Sequence, residues 1–400
     1  MDRTALSGIR LNMKLGVPDM KLRKTAACFL ASAITFAGLP LGASAVSAQE
    51  MKAPSAILME AQTGKVLFEK NPHEKRACAS ITKVMTLLLV MEALDSGKIG
   101  LSDKVSVSQH AASMGGSQIW LKPGETMTVD DLLKATVIAS ANDCAVALGE
   151  YLAGSEEEFV SQMNSKAKQL HMNDTVFKNC YGLDEDGHVT STWDIAIMSR
   201  ELVRHPKIFN YTKTWIDYLR GGKTQLVNTN KLLKSYKGIT GLKTGTTNKA
   251  GSCMDATAQR NGVSLIAVVL GCPDTKARFS SAASLLDYGF ANWSVAVPSI
   301  PKEATNPAEV RNGMEKQVAV DVDSGTSLLV PKGKGGAVKY QVSMQKGIAA
   351  PVKKGQVLGK VICTLGGETL QEYNIRAKTS VEKISFISVF HMLLLELLMK

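Results

Sequence analysis

The sequence predicts an α/β-α domain, an antiparallel sheet flanked by helices with a helical subdomain set between its strands, followed by a small all-β domain. Three observations carry this. Strand-like runs stand at both ends of residues 53–290, with helical periodicity between them. Asn261-Gly262 joins two apolar runs, the pairing that marks a tight hairpin. Near residue 294 the composition changes from apolar and periodic to Pro-, Gly- and Lys-rich.

Taken in order, residues 1–48 have the make-up of a removable export segment. Lys21, Arg23 and Lys24 precede an apolar stretch from Ala26 to Leu41. Ala43-Ser44-Ala45 and Val46-Ser47-Ala48 each offer a small-x-small cleavage site, and either Met1 or Met20 can serve as the start. Residues 49–293 form the α/β-α domain. Ala53–Leu58 and Lys65–Phe68 flank a turn, a hairpin pattern. Ser80 opens a helix with Val84, Leu87, Leu88, Met91 and Leu94 at helical spacing, and other apolar residues fill its remaining faces. Such a helix belongs in a core, and Gly97 marks its end. Helical patterns follow over 129–152, which carries Ser140, and over 156–170. Strands over 251–259 and 263–270 and a helix over 276–290 complete the domain.

Val297-Pro298 to Pro301 and Asn306-Pro307 form a breaker-rich linker, and residues 294–380 show short β-like runs. Residues 381–400 form a terminal amphipathic helix. At 100° per residue Glu382, Ser385, Ser388, His391, Glu396 and Lys400 gather on one side, and Phe386, Ile387, Phe390, Leu394 and Leu397 on the other. It suits a membrane interface or a packing partner, and is too short to span a bilayer core of roughly twenty apolar residues.

The chain has 400 residues, 45% of them hydrophobic, enough for two cores. Without residues 1–48 it keeps 41 basic and 34 acidic side chains, a net +7 that suits an anionic envelope or polymer. No dense basic run with interleaved aromatics is present, so nucleic acid is not an expected partner. Beyond Cys28 six cysteines remain, none in a C-x-x-C pair, and no His spacing suits a metal; no cofactor is expected.

S-x-x-K occurs five times, beginning at Ser80, Ser165, Ser299, Ser343 and Ser380. Only Ser80 starts a core helix, with Lys83 one turn on along the same face. A desolvated lysine there can act as a base. Ser140-Ala141-Asn142 is the single S-x-N and Lys243-Thr244-Gly245 the single K-T-G. S-x-x-K, S-x-N and K-T-G, in that order, form the signature of the penicillin-recognising serine enzymes.

With Tyr181-Gly182-Leu183-Asp184, Gly187-His188, Thr192-Trp193-Asp194 and Gly241 to Thr247, these motifs make the chain resemble the low-molecular-mass penicillin-binding proteins, the serine-type D-alanyl-D-alanine carboxypeptidases. The resemblance implies the penicillin-binding/β-lactamase-like fold for the first domain and a terminal anchor helix on the outer face of the cytoplasmic membrane. It implies peptidoglycan stem peptides as substrate and β-lactams as acylating inhibitors. Ser80 is then the nucleophile, Lys83 its base, Ser140 a proton relay, Asn142 a holder of Lys83 and the substrate amide, and Lys243 the partner of Ser140. Thr244 and Thr246 hold the substrate carboxylate, Gly245 belongs to the same strand, and the amides of Ser80 and Thr246 form the oxyanion hole. Arg278 either supports the carboxylate end or is a surface helix residue. Cys78 stands where the family often has proline; with Cys144 it either packs or responds to oxidation. An endopeptidase or transpeptidase would share these residues, and a class A-type β-lactamase would add a deacylating glutamate.

Overall fold

A computed structural model of the chain describes residues 51–398, Thr326 excepted. The export segment expected at 1–48 lies outside them, as do residues 399–400. β1 (Ser55–Glu60) folds back through Gly64, at φ +75°, into β2 (Val66–Lys70). The chain returns to this sheet only with β3 (Ile239–Thr247), β4 (Gly251–Arg260) and β5 (Val263–Cys272). The order is β2-β1-β5-β4-β3, with every pair antiparallel. Asn261 (φ 48°) and Gly262 (φ 83°) make the turn between β4 and β5 with two positive φ angles, as the dipeptide predicts. β3 is an edge strand, so one side of its backbone faces away from the sheet.

The sheet is covered on both faces, so β1, β4 and β5 are buried along most of their length, with polar Ser252, Asp255 and Thr257 of β4 included. Ile57, Ile266 and Val268 point into one core, and Leu58, Leu265 and Val269 into the other. The first core is closed by α1 (Lys83–Asp95), which buries Val84, Met85, Leu87, Leu88, Val90 and Met91. It ends at Ser96, with Gly97 at φ +72° where the sequence predicts a stop. The single helix expected over 129–152 is broken. α2 (Val129–Lys134) passes into a π turn over Ala135–Ala139. Ser140 then takes φ +62°, Ala141 is extended, and α3 (Asn142–Ala153) starts afresh. Val137, Ile138, Ala141 and Cys144 are all buried, so the apolar pattern runs unbroken through a backbone that does not.

α4 (Glu156–Gln169) and α5 (Thr192–Leu202) are capped by Ser155 and Ser191, whose hydroxyls accept the N–H groups of Glu158 and Asp194. α6 (Thr275–Asn292), capped by Asp274, covers the second face of the sheet. Trp293–Ala296 then pairs with Leu328–Pro331, so the breaker-rich stretch begins only after a strand. Beyond it β6 (Val320–Val322), β7 (Lys339–Met344), β8 (Val357–Leu365) and β9 (Glu368–Ala377) form an antiparallel sheet in the order β6-β9-β8-β7. Its core holds Val318, Leu358, Val361, Cys363, Tyr373 and Ile375. The terminal helix α7 (Phe386–Leu398) leaves Phe386, Ile387, Phe390 and Leu397 exposed. Among the described residues no helix is long and apolar enough to cross a membrane.

Candidate active site

The three sequence motifs meet at the junction of the sheet edge and the helices. Ser80 lies in a 3-10 turn, Ala79–Thr82, directly ahead of α1. Ala79 holds φ +50°, an unusual angle for a residue with a Cβ, and so re-aims the chain at the serine. Two glycines allow this turn to be crowded. A Cβ on Gly182 would overlap the carbonyl oxygen of Ala79, and one on Gly245 would lie 3.0 Å from the Ser80 amide nitrogen. Gly245 thus lets β3 press against the serine turn, which puts the Ser80 and Thr246 amides in one neighbourhood.

Lys83 is wholly buried in the first turn of α1. Its Nζ lies 3.0 Å from Ser80 Oγ, 2.6 Å from Asn142 Oδ1 and 2.8 Å from the Tyr181 carbonyl oxygen. A neutral amine has two hydrogens and one lone pair. Asn142 and Tyr181 can only accept, so they take the hydrogens and the lone pair faces the serine hydroxyl. Burial pushes the Lys83 pKa down to about 7, with nearby Cys180 and Asp143 opposing the shift. Lys243 is buried too and gives its Nζ hydrogens to Ser140 Oγ at 2.7 Å and the Thr244 carbonyl at 3.2 Å. Its pKa is pushed well down, by burial first and then by Lys83 and Arg278.

The remaining candidates are placed as follows. Asn142 spends an amide hydrogen on the Gly115 carbonyl at 2.7 Å. Thr244 donates its hydroxyl to Thr229 at 2.7 Å. Arg278 is buried, not on the surface, and its Nη1 reaches Thr246 Oγ1 at 2.7 Å and the Gly245 carbonyl at 3.0 Å. Two serine–lysine pairs, a buried arginine and a sheet edge therefore share one site, and among the described residues no group of His, Cys, Asp and Glu could hold a metal ion.

Residues 42–274 match the family model for D-alanyl-D-alanine carboxypeptidase. The chain belongs to the D-alanyl-D-alanine carboxypeptidase family. Residues 301–383 match the model for the C-terminal domain of penicillin-binding protein 5. The D-alanyl-D-alanine carboxypeptidase DacF of Bacillus subtilis is 45% identical over 341 residues, 84% of this chain and 88% of that one. The crystal structure of penicillin-binding protein 5 from Haemophilus influenzae is similar at a TM-score of 0.74 and 30% identity, covering 85% of this chain and all of that one. The ampicillin-bound form of penicillin-binding protein D2 from Listeria monocytogenes is similar at 0.56 and 33% identity over 60% of this chain and 98% of that one.

In this carboxypeptidase Glu156, Glu157 and Glu158 occupy the first turn of α4. Glu156 accepts the Cys180 N–H at 3.1 Å and pairs with His110 at 2.7 Å. Among the described residues no carboxylate lies within hydrogen-bonding distance of Ser80 or Lys83. The six cysteines Cys78, Cys144, Cys180, Cys253, Cys272 and Cys363 are free and buried. Burial pushes the Cys78 thiol up to about 12, which keeps it protonated and unreactive.

Sequence reasoning attached no role to four residues that shape the carboxypeptidase site. Tyr181 contributes a carbonyl, which no side-chain motif can announce. Gly182 clears the serine turn. Asp184 accepts the Thr247 hydroxyl at 2.7 Å and the Lys249 N–H at 3.2 Å, tying the same loop to the end of β3. His188 is buried; its Nδ1 accepts the Lys178 N–H at 3.1 Å, so Nε2 carries the hydrogen and gives it to Thr82 Oγ1 at 2.8 Å. That bond fixes the residue next to Lys83 in the chain. The signal was present in the Tyr181–Asp184 and Gly187-His188 wording, but only as a resemblance.

Proposed function

We propose that Ser80 is the nucleophile with which this D-alanyl-D-alanine carboxypeptidase releases the terminal D-Ala of pentapeptide stems. The observation that carries the reading is the Lys83 amine, 3.0 Å from Ser80 Oγ with both hydrogens accepted elsewhere. Lys83 takes the hydroxyl proton as Oγ attacks the carbonyl carbon of the penultimate D-Ala. The carbonyl oxygen gains charge against the Ser80 and Thr246 amides. The C–N bond breaks as Ser140, held by Lys243, gives its proton to the departing amine and takes in its place the one Lys83 received from Ser80, which leaves the lysine neutral again. Water then hydrolyses the acyl ester and returns the proton to Ser80. The stem lies along the open edge of β3, its terminal carboxylate towards Thr244, Thr246 and Arg278. A β-lactam enters the same path and stops at the acyl stage, in keeping with the ampicillin-bound relative.

Residues 1–48 direct export, and α7 attaches the enzyme to the outer face of the cytoplasmic membrane. The exposed Phe386, Ile387, Phe390 and Leu397 support attachment at an interface.

Product analysis on a pentapeptide stem tests the function. Free D-Ala and tetrapeptide support it; a new cross-link identifies a transpeptidase, and a cut cross-link an endopeptidase. One penicillin should add per chain, at Ser80, and Ser80→Ala should take up none. Labelling that survives that change removes Ser80 from the mechanism.

A further inference from the structure

Trp120 is held in a conformation that bulky residues avoid, with its indole in solvent. It is 72% exposed at φ +55°, while its neighbours Ile119 and Leu121 are buried. The buried Asp143 carboxylate clamps both sides of it: Oδ2 accepts the N–H of Ile119 and that of Leu121, each at 3.1 Å. Arg220 adds a third hold, giving Nη1 to the Ile119 carbonyl at 2.9 Å while its fork pairs with Glu125 at 2.7 and 3.1 Å. Two charged groups thus fix one tryptophan pointing outward. Backbone strain that the surroundings over-determine in this way points to a use for the side chain.

The indole borders an open groove of about 650 Å³, which Lys122, Glu125, Arg220, Lys223, Thr224 and Gln225 also line. Among the described residues neither Lys122 nor Lys223 has a hydrogen-bond or ion-pair partner for its ammonium group. A flat apolar face with two unpaired ammonium groups and the Glu125 and Gln225 side chains around it fits a ring with C–H groups on its face and hydroxyls, which both donate and accept, around its rim. That is the chemistry of a sugar. The groove also adjoins the reaction site, because Asn142, which holds Lys83, takes the Ser117 carbonyl on its own N–H at 2.6 Å. Ser117 and Trp120 are three residues apart, at most about 10 Å of chain, and a five-residue stem spans up to about 17 Å.

We propose that Trp120 is a stacking platform for a sugar ring of the glycan strand that carries the stem peptide. The proposal rests on the carboxypeptidase reading above and concerns the polymer, not the bond that is cut. Trp120→Gly is the informative variant, because glycine adopts the same φ without strain and the fold should be as stable as before or more so.

The full chain, wild type and variants, is assayed for D-Ala release from a free pentapeptide and from intact peptidoglycan with the same stem. Trp120→Gly should act on the free peptide within twofold of wild type and lose about tenfold on the polymer. Trp120→Phe, which keeps a smaller platform, should recover part of that loss. Glycan strands stripped of peptide should quench wild-type tryptophan fluorescence and leave the Gly variant unchanged. Equal losses on both substrates, or none on the polymer, overturn the platform. So does quenching by free stem peptide with no response to stripped strands. Wild type inactive on both substrates would instead refute the carboxypeptidase reading.

Discussion

Lys243 Nζ meets Ser140 Oγ at 2.7 Å, across 103 residues of sequence. The contact joins the edge of the sheet to a break between two helices, and both partners are buried. Lys243→Ala would leave the Ser140 hydroxyl without its donor and remove a positive neighbour of the reacting carbonyl. Acylation by penicillin should slow by about 100-fold, the scale of losing one aimed electrostatic group. Circular dichroism should be unchanged. Acylation at the wild-type rate would take the pair out of the mechanism.

The Lys83 amine works only when unprotonated. Its pKa is about 7, so the second-order acylation rate should climb with pH through about 7 and level off above it. Below that value the ammonium donates to Ser80 and cannot take its proton. Lys83→Arg should lose at least about 1,000-fold at every pH, because a guanidinium keeps its proton. Stopped-flow acylation between pH 5 and 9 checks both; a rate flat across that range contradicts the assignment.

His188 and Asp255 should tilt stability against pH in opposite directions. Burial lowers the His188 pKa to about 4, so the folded protein holds it neutral while the unfolded chain takes a proton below about 6.5. Stability is lost as pH falls from about 6.5 to 4, by about 3 kcal/mol at most. Asp255 is buried, with Ser199 donating to its Oδ2 at 2.6 Å and Oδ1 unbonded. Burial raises its pKa to about 7. The unfolded chain ionises near 3.9 and the folded one does not, so stability is lost as pH rises from about 4 to 7, by about 4 kcal/mol at most. Between pH 4 and 6.5 the two slopes nearly cancel. Urea unfolding of Asp255→Asn should tip that balance towards the His188 slope, with stability rising more steeply across that window than in wild type. An unaltered pH profile in this variant rules out the buried carboxyl as a source.

Deleting residues 386–400 should release active enzyme from the membrane fraction with penicillin labelling intact. Val381 is buried in the β domain and pairs with Val352, so the cut falls after it. The exposed apolar side chains of α7 do not pack on that domain, and the truncated chain should unfold at the same temperature. A truncated protein that still sediments with membranes, or melts earlier, makes the helix part of the fold instead.

Much of this architecture was legible in order along the chain. Asn261-Gly262 specified its hairpin because only such a pair tolerates two successive positive φ angles. The caps Ser155, Ser191 and Asp274 are local chemistry of the same kind, but none was named from the sequence, and the structure supplied them. The break at Ser140 was hidden, because burial on every side gives helix, π turn and extended residue one apolar pattern. Arg278 could not be placed by sequence, since a helix surface and a buried flank use the same residue type; the structure seats it under Thr246.

The sequence by itself determined the nucleophile–lysine spacing, the order of the three motifs, the core helix behind Ser80 and a strand that bears K-T-G ahead of the hairpin. Each depends on residues close along the chain, or on a signature whose parts keep their order. Tertiary structure alone decided which groups surround Lys83: a carbonyl from Tyr181, an amide oxygen from Asn142 and the apolar enclosure that brings its pKa to about 7. It also decided that Trp120 faces water under the grip of Asp143 and Arg220. Backbone carbonyls, desolvation and strain arise from segments brought together by folding, and a residue's identity records none of them.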